Sequence, residues 1–155
     1  MKKSLIGIFA AAAMCLGTIA SASEPAAHKL SGVVLGESVS SDVYETLVGY
    51  GYNVDIVNDG AILLANGDLF IEKVEFDRIT VTFTGDKASL ILAGQNTKNA
   101  KRAEREYARL VEGFYAKYPD ASFFKEHNLF GEDEDSWARL SMDETGRITY
   151  TLCCK

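Results

Sequence analysis

The chain has 155 residues, 47% of them hydrophobic and 25% charged, with 13 Gly and only 2 Pro. This is globular composition, which excludes a collagen, a long coiled coil and wholesale disorder, and the length suits one domain. A net charge of -6 argues against a general nucleic-acid binder, and 3 Cys with 2 His are too few for most zinc modules.

Residues 1–22 read as a signal peptide. Lys2 and Lys3 precede a short apolar run, Leu5 to Gly17, and Ala20-Ser21-Ala22 is a small-residue cleavage site. The run is too short for a membrane span of about 20 residues, and no second run follows, so the expectation is export to the periplasm or the outside without an integral span. Cys15 lacks a good lipidation context, because Met14 stands next to it. Residues 23–30 read as a flexible arm and 31–155 as a single domain.

Val43, Leu47 and Tyr50 recur at helical spacing, which predicts a first helix over Ser38 to Tyr50, with Ser40 or Ser41 as its cap and Gly49 and Gly51 as its stop. The period then changes. Tyr52 to Val57 alternates as a half-buried strand does, and Asn58-Asp59-Gly60 is a tight-turn signal. Ala61 to Ala65 returns, Asn66-Gly67-Asp68 reads as a second turn, and Leu69 to Phe76 is apolar but irregular. Arg78 to Thr84 alternates cleanly, with Ile79, Val81 and Phe83 opposite three threonines, and Ala88 to Ala93 follows as a further strand. Ala100, Ala103, Tyr107, Leu110, Val111, Phe114 and Tyr118 make the apolar stripe of a longer helix, Asn96 to Tyr118, with Asn96 or Thr97 as cap and Pro119 beyond. Asp120 to Asp135 reads as a long irregular connection. Trp137 to Met142 and Arg147 to Cys153 form a last hairpin around Glu144-Thr145-Gly146. The sum is an α+β two-layer domain: an antiparallel sheet of five to six strands with two helices packed on one face.

Candidate chemistry is thin. Cys153 and Cys154 are adjacent, which allows a strained vicinal disulfide, an intermolecular bridge, or two thiols on opposite faces of a strand. His127 has no second histidine or cysteine at ligand spacing, and no Gly-x-Ser-x-Gly elbow accompanies it. The acid run Glu132 to Asp135 lacks the alternating ligand spacing of a calcium loop. Lys98, Arg102, Arg105 and Arg109 fall on one face of the long helix, either a basic stripe for an anionic partner or an ordinary solvated face. Phe123, Phe124, Phe130 and Trp137 could make an aromatic binding surface or pack the loop on itself.

Gly32 to Ser38, followed by a helix ending Leu47-Val48-Gly49-Tyr50-Gly51-Tyr52, resembles the opening of small exported bacterial α+β domains of unknown function. The hairpin from Ile79 to Ala93 and the helix end Phe114 to Pro119 continue that likeness over about residues 30–120. More distantly the chain resembles the outer-membrane-assembly lipoproteins and the β-lactamase-inhibitor-like domains. That resemblance implies a binding module and no particular functional residue. The expectation is a non-enzymatic domain, without metal or cofactor, that binds another envelope or extracellular protein. The competing readings are a small redox or hydrolytic enzyme using Cys153, Cys154 or His127, and a carrier of a small apolar ligand.

Overall fold

A computed structural model describes residues 29–95 and 99–155. The predicted signal peptide, Cys15, His28, Asn96, Thr97 and Lys98 lie outside the described residues. Lys29 and Leu30, the end of the segment read as an arm, form β1, which pairs with β2 (Val33–Val34) around a turn at Ser31 and Gly32. Leu30 and Val33 are buried, so this small hairpin is anchored by apolar contact.

Helix α1 spans Ser40–Gly49 and buries Val43 and Leu47. Its N-cap is Val39, without a side-chain cap bond. Neither serine serves as the cap: the Ser40 hydroxyl donates to the Gly60 carbonyl at 3.1 Å, and Ser41 turns to Asp42. The entry is held by the sheet instead, since Gly36 N–H donates to Ala88 O and Ala88 N–H to Ser38 O, both at 2.8 Å. The glycine stop behaves as the residues predict. Gly51 takes a φ of +85°, Tyr52 N–H reaches back to Leu47 O and Gly51 N–H to Val48 O, the paired bonds that close a helix on a left-handed residue.

Four strands follow in an antiparallel meander: β3 (Asn53–Val57), β4 (Ile62–Ile71), β5 (Val74–Thr84) and β6 (Lys87–Gly94). Then comes α2 (Ala100–Lys117), capped by the Asn99 side chain on Lys101 N–H at 2.9 Å, and a second meander of β7 (Ser122–Lys125), β8 (Asn128–Glu132), β9 (Ser136–Met142) and β10 (Ile148–Cys154). The eight strands make one sheet in the order β3-β4-β5-β6-β10-β9-β8-β7. Each half is thus a helix followed by four strands, and the halves join through their last strands, β6 and β10, with Ile91 opposite Leu152. The order of elements is thus repeated, but the cover is not divided evenly: α1 packs on β3 and β4, while α2 lies over both β9 and β5 and so spans the two halves.

The α+β class, the antiparallel sheet and the two helices match the sequence reading, while the strand number exceeds the expected five to six. Two elements differ from the expectation, and only the second adds strands to the sheet. Asn66-Gly67-Asp68 is a bulge within β4, where the register against β5 slips between Asn66 and Leu69. Gly67 is needed there, because a Cβ would stand 2.1 Å from the Tyr52 ring. The chain reverses later, at Glu72 and Lys73, whose φ angles of 48° and 64° make a two-residue turn without glycine. Secondly, the stretch 120–135 is no irregular connection but the hairpin β7–β8 and the link to β9. Its turn places His127 at a φ of +56°, and His127 O accepts from Met142 N–H at 2.9 Å.

One core lies between the helices and the sheet. Val43 and Leu47 of α1 and Tyr107, Leu110 and Phe114 of α2 join Leu63, Ile79, Val81, Ile91, Leu140, Tyr150 and Leu152 in it. Among the described residues, no helix lies on the opposite face of the sheet.

Candidate interaction surface

The helix-free face can be read directly from the strand register. Residues paired across antiparallel strands share a face. One row runs Ile62, Thr82, Leu90, Cys153, Trp137. The next row runs Leu64, Thr80, Leu92, Thr151, Arg139, Phe130. Thr151 and Cys153 of β10 therefore separate two apolar groups, an aliphatic one on β4 and β6 with Thr80 and Thr82 between, and an aromatic one on β8 and β9. Phe130 and Trp137 stack with centroids 6.1 Å apart. Leu64 and Phe130 are each 37% exposed, and Phe124 on the edge strand β7 is 77% exposed. Leaving such side chains in water forgoes roughly 25 cal/mol for each Å² that burial would remove from solvent, so contiguous patches of this kind mark contact surfaces.

Of the aromatic residues singled out in the sequence, Phe124, Phe130 and Trp137 meet at this end of the sheet. Phe123 pairs with Leu129 and lies half-exposed at the rim, where it borders both the open face and the groove beside α2. Arg139 was not singled out. Its side chain stands between Phe130 and Thr151, and its Nε donates to Asn128 Oδ1 at 2.5 Å. The signal was present in the alternation of Trp137, Arg139 and Ser141, but only the register shows that this row faces away from the helices. Leu64, Leu90 and Leu92 were likewise read only as strand residues.

The basic stripe is weaker than its sequence. Arg102 is tied down: its Nε meets Glu106 Oε1 at 2.6 Å and its Nη2 lies 3.9 Å from Glu75. The bond to Glu106, then its charge, raises the guanidinium further above its ordinary value. Buried Gln95 completes this network by donating to Glu106 Oε2 at 2.7 Å and to Glu75 O at 2.9 Å. Arg105 and Arg109 remain exposed and make no ion pair with a described residue. Two free arginines are a modest electrostatic surface, since exposed charges are screened within about 8 Å at physiological salt.

Cys153 and Cys154 are free thiols. They sit on opposite faces of β10. Cys153 belongs to the open face beside Trp137 and Leu90, while Cys154 packs against the core with its Sγ 3.8 Å from Ala88 O. Burial first, and then the neighbouring Cys154 or Asp135 respectively, pushes both thiols up from their usual range. They are therefore protonated at neutral pH and poor nucleophiles. His127 packs edge-on against Tyr107, centroids 5.3 Å apart, with Nε2 at 3.4 Å from Glu104. The acid run is used as a turn. Asp133 Oδ1 accepts from Asp135 N–H, Ser136 N–H and Ser136 Oγ, and Glu132 pairs with Lys155 at 2.9 Å.

Comparison of the chain with protein-family models, with curated proteins and with solved structures finds no match in any of the three. No described helix is long and apolar enough to cross a membrane.

Proposed function

We propose that this chain is an exported, non-enzymatic binding module of the bacterial envelope that engages another protein through the helix-free face of its sheet. One observation carries the reading: an eight-stranded sheet that, among the described residues, is covered by helices on one side only, with Ile62, Leu64, Leu90, Leu92, Phe130 and Trp137 on the other. Eight strands at about 4.8 Å spacing and roughly seven residues long present a face of about 800 Å². That is about the area one partner contributes to a standard protein–protein interface. Aromatic side chains bordered by threonines and one arginine suit such a surface, because Trp, Tyr and Arg dominate binding energy. The distant resemblance to the outer-membrane-assembly lipoproteins and the β-lactamase-inhibitor-like domains points the same way. The basic helix stripe, with Arg102 held internally, is the lesser candidate.

The test is an affinity capture of tagged residues 23–155 exported in a bacterial host and cross-linked, with three surface variants in parallel. Leu92→Lys and Trp137→Glu are expected to abolish recovery of a partner at unchanged circular dichroism. The combined change of Arg105 and Arg109 to Glu is expected to leave it intact. The opposite pattern would move the surface to the helix.

A further inference from the structure

A second feature lies at the end of the open face, where β7, β8 and β9 meet. A surface cleft of about 470 Å³ is bounded by Ser122, Phe123, Phe124, Asn128, Phe130 and Arg139. Its walls are aromatic, and Arg139 is the one charged residue among the described residues that bound it, with Lys125 Nζ nearby at 6.0 Å from the Phe124 ring centroid. The Arg139 charge has no anionic partner among the described residues. Arg139 spends one donor, Nε, on the neutral amide oxygen of Asn128, which fixes the guanidinium plane and leaves the two terminal nitrogens unbonded to any described residue. Glu132, on the same strand as Phe130, is engaged by Lys155 instead. In a chain of net charge -6, an arginine left without a carboxylate beside exposed phenyl rings is a complementary half of an interaction.

We propose that this cleft binds a small amphiphilic carboxylate, an aryl or alkyl chain ending in a carboxylate group. The two free Nη atoms match a carboxylate in bidentate fashion, a geometry that strengthens the bond and fixes its direction. Phe124 and Phe130 take the apolar part, and Ser122 and Asn128 offer polar contacts at the rim. The volume lies within the range of small-molecule sites, about 300–1,000 Å³. A purely apolar ligand would leave Arg139 partly desolvated and unpaired, and a cationic one would meet repulsion, so the sign of the ligand is set by the site. This goes beyond the protein-binding reading and does not depend on it: the cleft lies at one end of the face, and the Leu92→Lys variant of the capture experiment reads its centre.

The test titrates the purified protein with 4-phenylbutyrate, with its neutral analogue 4-phenylbutan-1-ol and with 4-phenylbutylamine. Trp137, the only tryptophan in the chain, stacks on Phe130 and reports by fluorescence. Amide shifts in 15N-labelled protein localise the site. Saturable binding of phenylbutyrate below about 1 mM is expected, with the alcohol and the amine at least about tenfold weaker. Arg139→Gln and Phe130→Ala are each expected to weaken it by about tenfold, and Arg105→Gln to leave it unchanged. Arg139 is exposed, so its variant keeps the fold, and circular dichroism checks this. Equal binding of the alcohol, or indifference to Arg139→Gln, would reduce the cleft to non-specific apolar adhesion and overturn the proposal. Absence of saturation up to about 10 mM would do the same. A blocked Phe-Glu dipeptide binding about tenfold tighter than phenylbutyrate would assign the cleft to a protein side chain and overturn the small-ligand form.

Discussion

The two faces of the sheet use the same strands for opposite ends. On the helix side, Leu63, Val81, Ile91, Leu140 and Leu152 are fully buried. One residue along each strand, Leu64, Leu90, Leu92, Trp137 and Phe130 remain in contact with water. The difference does not lie in residue type, because both faces carry large apolar side chains. It lies in cover: two helices lie over one face of the eight strands, and among the described residues no helix lies over the other. Stability should therefore reside on one face and recognition on the other.

The largest test of that division compares two phenylalanines. Phe114 on α2 is 1% exposed and packs on Tyr118 and Tyr150. Phe114→Ala is expected to lose about 3–5 kcal/mol of unfolding free energy, through lost transfer energy and the cavity left behind. Phe130→Ala on the open face should lose less than about 1 kcal/mol. Urea titration measures both. Equal losses would mean that the open face is part of the structural core.

Alkaline pH probes the covered face next. Burial, reinforced by neighbouring ionisable groups, pushes the Tyr107 and Tyr118 phenols up to about 12, and raises Tyr150 as well. The unfolded tyrosine releases its proton near pH 10, before the folded one. Stability is thus full below about pH 10 and falls as pH rises from there to about 12, by on the order of 2 kcal/mol for each such tyrosine. A Tyr107→Phe variant should show a shallower loss of urea midpoint between pH 8 and pH 11. The same slope in both proteins would show that this phenol does not contribute.

Gly131 sits where β8 passes under the end of α2. A Cβ there would stand 2.6 Å from the Cβ of Tyr118 and 2.7 Å from its ring. Gly131→Ala is expected to cost about 1–3 kcal/mol by overpacking. Gly49, with nothing within 4 Å of a built Cβ, should accept alanine with little loss in the same assay.

How far the fold was legible follows the same line between local and non-local causes. The stripe of α2 and the glycine stop of α1 are local, and both were visible. Asn66-Gly67-Asp68 looked like a turn because Asn-Gly is the strongest short hairpin signal. Tertiary packing used that glycine otherwise, to let the Tyr52 ring approach β4. Conversely, Glu72-Lys73 carries no turn residue at all, yet turns. The chain accepts two positive φ angles there where the Glu72 side chain packs against the helix, so close to Gly113 that a Cβ on that glycine would meet it at 2.4 Å. The hairpin β7–β8 was hidden for a similar reason, since its turn uses His127. Within the candidate surface the aromatic residues were visible by type. Arg139 was not, because its neighbours come from strands that only the register brings beside it.

The smallest test concerns two adjacent residues and divides the faces most finely. Cys154 points into the core edge, near Ala88 and Gly36, while Cys153 lies on the open face opposite Trp137. Cys154→Ala should cost about 1 kcal/mol through lost packing. Cys153→Ala should change stability by less than about 0.5 kcal/mol. Neither replacement should alter binding of a partner centred on Leu90 and Leu92 more than the neighbouring Trp137→Glu does. If Cys153→Ala alone abolished partner binding under oxidising conditions and reductant did the same to the native protein, recognition would run through an intermolecular disulfide and not through apolar cover. The open face would then owe its exposure to a thiol, and the two faces would differ in chemistry rather than in cover.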